Sequence, residues 1–225
     1  MKKLTSPFAL IKKSWNLFTE KENLLILVRI YLPMGIISLI TLLPSYIPSL
    51  DKFFSGTVVT TIIYILFIII GAFVNLAGII AVSEILKGEK PQAKNIFKIS
   101  YPKYGKFLLL TIALYLAYAL GLILLVAPFV LVITWFAFSK FIIVEKGIGI
   151  RASFAESKKI VKGYFWQVLG RILVFGLFSL FVQMILGLLP YELGIVVFSL
   201  TGGLFIFPQI LLYQEISSRS KVISG

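Results

Sequence analysis

The run "KFLLLTIALYLAYALGLILLVAPFVLVITWFAFSK", residues 106–140, carries no charge between its two terminal lysines. As one straight helix its interior would extend about 50 Å, whereas the hydrocarbon core of a bilayer is about 30 Å thick. Gly121 and Pro128 flank a point where the chain can reverse, because proline is tolerated in the first turn of a new helix. We therefore predict a tight hairpin of two membrane crossings, at about 105–125 and 128–144.

The composition of the whole chain also indicates a membrane protein. Of its 225 residues 59% are hydrophobic and 14% are charged, whereas a soluble domain is about half apolar and about a quarter charged. We predict an all-α membrane protein, a single polytopic domain over residues 1–225, with six transmembrane helices and two or three cytoplasmic amphipathic interfacial helices. The crossings are predicted at about 24–43, 57–86, 105–125, 128–144, 164–186 and 193–213, after an interfacial helix at 7–20.

The basic residues are distributed unevenly between the two sides of this arrangement. Lysine and arginine crowd the N-terminal tail, segments 87–106 and 145–163, and the C-terminal tail, while the opposite loops hold only Lys52. This asymmetry follows the positive-inside rule. It predicts a multi-pass protein of the cytoplasmic (inner) membrane of a prokaryote, with both termini cytoplasmic and no cleaved signal. In the alternative, 105–144 forms one bent helix and the chain crosses five times.

Two basic segments have amphipathic periodicity. In residues 7–20 an apolar face of Phe8, Ile11, Trp15 and Phe18 lies opposite Lys12 and Lys13; in the second segment Ile150, Phe154, Ser157, Val161 and Tyr164 lie opposite Arg151, Lys158, Lys159 and Lys162. A weaker third segment is interrupted by Pro102. We expect the apolar faces to enter the acyl boundary. The six basic residues are candidate contacts for anionic lipid headgroups, although topology alone also explains them.

Several polar residues fall inside the predicted crossings, where they are functional candidates by default. They are Arg29, Asn75, Glu84, Glu145, Arg171, Gln209 and Glu215. Opposite charges pair at equal depth, Arg171 with Glu145 or Glu84, or the arginines extend to the interface. Alternatively, these residues line a cytoplasm-facing polar pocket. A polar cavity continuous from Asn75 through Gln209 to Gln183 would favour a transporter; dry packing there would favour a role in lipid organisation.

A further motif is "FIIVEKGIGIRASFAESKKIVKGYFWQVLGRIL", residues 141–173. Its helix ending in Glu145, its Ser157 in a basic helix and its "KGxFW" step resemble the membrane domain of certain bacterial glycerophosphodiester phosphodiesterases and the stand-alone relatives of that domain. The resemblance implies a six-helix membrane domain. In the fused proteins, a separate soluble barrel with histidine and acidic metal ligands carries the chemistry. That barrel has no counterpart here, so the activity does not carry over.

The absence of cysteine and histidine from the sequence narrows the chemistry further. It excludes disulfides and thiolate metal sites, and it removes the commonest general base. We therefore expect a non-enzymatic integral membrane protein without cofactor or metal, which interacts with lipids or organises the membrane. The alternative is a small-solute or lipid transporter. The expected partners are membrane lipids, with a homodimer as a further option and no nucleic acid.

Overall fold

The computed structural model describes residues 4–47, 56–124 and 126–223, which form ten α-helices and no strand. The helices are α1 Pro7–Thr19, α2 Lys21–Tyr46, α3 Thr57–Leu86, α4 Ala93–Ile123, α5 Val126–Trp135, α6 Ser139–Lys146, α7 Ile150–Lys162, α8 Phe165–Leu186, α9 Tyr191–Leu200 and α10 Gly202–Ile223. Six helical segments are long and apolar enough to cross a membrane. The fourth combines α5 with α6 and the sixth α9 with α10. The predicted all-α class with six membrane-spanning segments is confirmed.

The charge-free run reverses direction where the sequence predicts. Helix α4 ends at Ile123 and α5 begins at Val126, so the two crossings pack side by side. Gly121 permits this approach, because a Cβ atom at this position would lie 3.0 Å from the Cα atom of Phe129. A single bent helix over this run, the five-crossing alternative, is not what the chain forms.

The start of the third crossing differs from the prediction. Helix α4 begins at Ala93 rather than near Gly105, and it continues through Pro102. Proline in a helix interior removes one backbone hydrogen bond to the residue four positions earlier, here Lys98. Both residues are exposed, so solvent can replace that bond. The weak third amphipathic segment is therefore the first part of a long helix, and predicting a separate interfacial helix there was wrong.

The fourth and sixth crossings each contain a break. Residues 136–138 form a turn between α5 and α6. In the sixth crossing the break is at Thr201, between α9 and α10, and Pro208 lies inside α10. Gly202 opens α10 directly against the ring of Tyr31, which leaves no room for a side chain. The close packing of α10 on Tyr31 of α2 therefore requires glycine at this position, directly after the break.

The core lies between α2, α3 and α10, and its most buried side chains include Leu27, Leu76 and Phe207. Helix α1 packs on α10, α2 and α8, and α7 packs on α6, α5 and α10. Together with the 87–92 turn and the C-terminal half of α10, these two helices form one end of the bundle, called here the basic end. An ion pair at 2.8 Å between Lys90 and Glu22 links α2 to the 87–92 turn.

Candidate functional site

Six exposed basic side chains of α1 and α7 form what we call the basic surface: Lys12, Lys13, Arg151, Lys158, Lys159 and Lys162. None of the three salt bridges in the described part of the chain includes any of them. Lys158 lies over the ring of Trp135, 4.3 Å from its centroid. This cation–π contact holds the side chain in place without neutralising its charge. The basic surface can therefore interact with external anions.

The underside of α7 differs from the prediction. Its face of Ser153, Ser157, Ile160 and Val161 is buried against the neighbouring helices. The expectation that the apolar side of this helix enters the acyl boundary is therefore wrong, since protein covers it. A helix anchored in this way keeps its basic face pointing outward.

Helix α1 is oriented differently from its predicted face. Leu10, Ser14 and Phe18 are buried, whereas Phe8 is 74% and Trp15 50% exposed. The predicted face is therefore divided: Phe18 packs inside the protein, whereas Phe8 and Trp15 are exposed, and their insertion into the acyl boundary stays a prediction. Large aromatic side chains next to lysines are typical of residues at the membrane–water interface.

Ser157, which belongs to the resemblance motif, has a structural role. Its hydroxyl donates to the carbonyl oxygen of Trp135 at 2.7 Å and accepts from the amide of Phe138 at 3.2 Å. Both backbone groups lie at the break between α5 and α6, where the regular hydrogen-bond ladder is interrupted. Ser157 therefore provides a hydrogen-bond partner for both backbone groups at the break of the fourth crossing, and it joins that crossing to α7.

Arg171 is 8% exposed and binds the N-terminal segment. Its guanidinium donates to the carbonyl oxygens of Thr5 at 2.9 and 2.6 Å, of Leu4 at 2.7 Å and of Gln167 at 2.7 Å. Two backbone amides of this segment also donate hydrogen bonds. The amide of Leu4 donates to Oε1 of Gln167 at 3.2 Å, and the amide of Thr5 donates to the carboxylate of Glu215 at 3.0 Å. The arginine thus fastens the chain before α1 to α8 and α10.

The predicted partners of Arg171 are wrong. Glu215 is the acidic residue that interacts with Arg171, and Glu215 also pairs with Arg219 at 2.6 Å. Glu145 instead lies beside the buried hydroxyl of Tyr213, and Glu84 lies beside Lys87 and Glu89 at the end of α3. The structure therefore brings together Arg171 and Glu215, and it leaves the other two glutamates apart from them.

The remaining predicted polar residues do not join this cluster. Arg29 is exposed on α2, and Gln209 is exposed with its amide donating to the carbonyl of Phe205 at 3.0 Å. Asn75, Gln209 and Gln183 line three different cavities, of about 500, 330 and 920 Å³. The continuous polar cavity that would favour transport is thus not formed by the described residues.

The largest of these cavities lies toward the end of the bundle opposite the basic end. It is lined by residues of α2, α3, α8 and α9. The hydroxyl oxygens of Ser38 and Ser199 lie 2.8 Å apart there. Each hydroxyl also lies within hydrogen-bond distance of a backbone carbonyl oxygen of its own helix. The contact between these hydroxyls joins α2 to α9. No charged side chain is among the described residues that line the cavity.

Sequence reasoning missed Lys140, which lies within the predicted fourth crossing. It lines the 500 Å³ cavity together with Thr111 and Asn75. A charge inside a predicted crossing was the available signal, but Lys140 served only to mark the end of the uncharged run. Nothing in the pattern singles out Thr111, because a lone threonine in an apolar helix is common.

No protein-family model, curated protein or solved structure matches the chain. The resemblance of residues 141–173 to the membrane domain of the phosphodiesterases therefore stays a prediction.

Proposed function

We propose that this integral membrane protein is non-enzymatic and binds anionic lipid headgroups through its basic surface, organising lipid at one membrane face. The observation that carries the proposal is the exposure of six basic side chains, none of which forms a salt bridge with a described residue. Each basic group near an anionic membrane contributes about 1 kcal/mol before screening and mutual repulsion. Four such groups on one helix would give a measurable preference for anionic lipid.

Aromatic side chains at the same end support this proposal. Trp166 is 78% and Tyr101 79% exposed, in addition to Phe8 and Trp15. Tryptophan and tyrosine concentrate at the level of the headgroups. They would hold the basic surface at the depth where lipid phosphates lie.

We further propose that the basic end is cytoplasmic, in the inner membrane of a prokaryote, as the positive-inside rule indicates. The relation to the stand-alone relatives of the phosphodiesterase membrane domain is part of the same proposal. The transporter alternative is less well supported, because Asn75, Gln209 and Gln183 line separate cavities.

The test uses the full chain and native mass spectrometry. Protein reconstituted in nanodiscs of equal phosphatidylglycerol and phosphatidylcholine is released gently, and its retained lipids are counted. One variant replaces Arg151, Lys158, Lys159 and Lys162 by glutamine. A charge-matched control replaces Lys87, Lys94, Lys98 and Lys106, which are also exposed.

We expect the α7 variant to lose most of its preference for phosphatidylglycerol, roughly tenfold or more if the four groups contribute even about 1.4 kcal/mol together. The control should keep that preference. Equal loss in both variants would indicate a general charge effect, and an unchanged preference in the α7 variant would leave the basic residues with topology alone. Either result would contradict the proposal.

A further inference from the structure

Lys140 is a charged residue inside the fourth crossing that has no acidic partner. Within the described part of the chain, Lys140 takes part in no hydrogen bond or ion pair. Its ammonium group makes a cation–π contact with Tyr115, whose ring centroid lies 5.7 Å from Nζ. Tyr115 lies nine residues beyond Lys106, the last charged residue of α4, which corresponds to about 14 Å along a helix. The ammonium group therefore points into the membrane rather than back to the basic end.

Two further polar groups in the same cavity also lack partners. Thr111 is 4% exposed and its hydroxyl forms no hydrogen bond; the side-chain oxygen of Asn75 is likewise buried without a partner. Both residues line the cavity of about 500 Å³ that contains Lys140. Buried polar groups in proteins nearly always have partners, so two unpaired ones beside the Lys140 ammonium in a single cavity point to a binding site for a polar group.

The acidic side chains that the structure describes do not supply that partner. Glu145 is on the same helix as Lys140, but it lies beside Tyr213 of α10. Glu84 is nine residues from Asn75 on α3, about 14 Å along the helix axis, and its charged neighbours are Lys87 and Glu89. The charge of Lys140 is therefore unbalanced among the described residues.

The cavity opens on the apolar outer surface of the bundle. Phe67, Ile68 and Tyr115 form its rim and are 38%, 51% and 57% exposed. These residues belong to spans that would cross the membrane, so the opening would face acyl chains rather than water. A ligand that enters from there needs an apolar chain as well as a negative group.

We infer that Lys140, Thr111 and Asn75 form an intramembrane site for the acidic headgroup of a single-chain amphiphile, a carboxylate or a phosphate monoester. The ammonium supplies the opposite charge, and the Thr111 hydroxyl donates a hydrogen bond to the same group. The Asn75 oxygen accepts a hydrogen bond from a protonated acid or a neighbouring hydroxyl. Phe67 and Ile68 contact the alkyl chain of the amphiphile. This site shares no residue with the basic surface, so it stands or falls separately from the proposed function.

The experiment measures retention of three amphiphiles of equal chain length by the delipidated full-length protein in nonionic detergent, using native mass spectrometry. The probes are hexadecanoate, hexadecyl phosphate and the neutral hexadecanol. We expect at least one acidic probe to be retained about tenfold more than hexadecanol, since hydrogen bonds to charged groups contribute about 1.5–3 kcal/mol each. The better retained of the two acids identifies the headgroup.

Lys140→Met should abolish the preference for the acidic probe, and Thr111→Val should reduce it several-fold. Lys106→Met is the matched control, because Lys106 is exposed on α4 and does not line the cavity. It should leave retention unchanged. Lys140→Met should also melt at no lower temperature than the native protein, because it removes an unpaired buried charge.

Four results would overturn the inference. Equal retention of hexadecanol would show that the acidic group is not recognised. Equal retention of the acidic probe by Lys140→Met would remove the lysine from the site. A dimer that Lys140→Met dissociates would assign Lys140 to a contact between subunits. Competition by inorganic phosphate tests whether the site binds a free anion or the headgroup of an amphiphile. Displacement of the acidic probe by inorganic phosphate alone would refute a site that requires the alkyl chain.

Discussion

Replacing Arg171 by methionine should release the N-terminal segment from the helix bundle. Methionine keeps most of the apolar stem but leaves the carbonyl oxygens of Leu4 and Thr5 without their donor. A buried acceptor left unsatisfied costs about 1–3 kcal/mol, and the Leu4 oxygen is of this kind. The Thr5 oxygen is partly exposed, so water can replace its partner at a cost of about 0.5–1 kcal/mol. The expected loss is therefore about 1.5–4 kcal/mol.

Hydrogen exchange of the Leu4 and Thr5 amides measures this loss directly. Both amides are bonded only through the fastened segment, to Gln167 and Glu215. A loss of about 2 kcal/mol corresponds to roughly 30-fold faster exchange. The effect should be confined to this segment and α1, since the core of α2, α3 and α10 does not depend on Arg171. Glu215→Gln should accelerate only Thr5, and by less, because an amide oxygen still accepts.

Arg29→Met is the matched control. Arg29 is an arginine in a neighbouring crossing, it is exposed, and it has no hydrogen bond or ion pair with a described residue, so its removal should change exchange little. Arg171→Lys keeps the charge but loses the planar fork, and it should show an intermediate effect. Unchanged exchange of Leu4 and Thr5 in Arg171→Met would refute the role of Arg171 as the fastener of this segment.

Three further predictions follow from the packing and the charges. Gly78→Ala should destabilise the protein by about 1–3 kcal/mol, because its Cβ atom would overlap the hydroxyl of Tyr31; Tyr31→Phe, which removes a buried hydroxyl without a partner, should recover part of this loss in thermal melts. Glu156 accepts a hydrogen bond from Lys146 at 2.8 Å, which lowers the pKa of Glu156. The stability of the protein should therefore fall as the pH drops below about 4.3, by at most about 1 kcal/mol because the pair is partly exposed to solvent. Glu156→Gln should remove this pH dependence. In the naturally cysteine-free chain, Lys159→Cys should react with an impermeant thiol reagent only after cells are opened and Leu188→Cys in intact cells; the reverse pattern would contradict a cytoplasmic basic end.

The membrane crossings could be predicted because apolar length and the positions of charge encode them locally. The hairpin at Gly121 and Pro128 is one example, since no single helix of that length fits a bilayer. The continuation of α4 through Pro102 could not be predicted, because it depends on that proline being exposed in the folded protein. The close contact next to the break at Thr201, between Gly202 and Tyr31, likewise involves a residue far away in the sequence.

The candidate sites divide in the same way. The basic faces follow from helical periodicity, so the exposure of Lys158 and Lys159 could be foreseen. The partner of each buried group could not, because it depends on tertiary packing. Arg171 binds carbonyl groups 166 and 167 positions earlier, and every residue has a carbonyl, so no residue type marks that partner. Ser157 could be noticed as part of a motif, but its role at a helix break requires the structure.

Arg171 and Lys140 show two different outcomes for a charge placed within an apolar span. Arg171 is surrounded by three backbone carbonyls and faces Glu215, so its charge is balanced inside the protein and serves its stability. Lys140 has neither an acid nor an acceptor among the described residues, and two neighbouring polar atoms in its cavity are unpaired as well. An unpaired charge in hydrocarbon costs at least about 2.5 kcal/mol. A ligand with a negative group would offset that cost when bound, and this is the reason to seek the ligand of Lys140 among acidic amphiphiles.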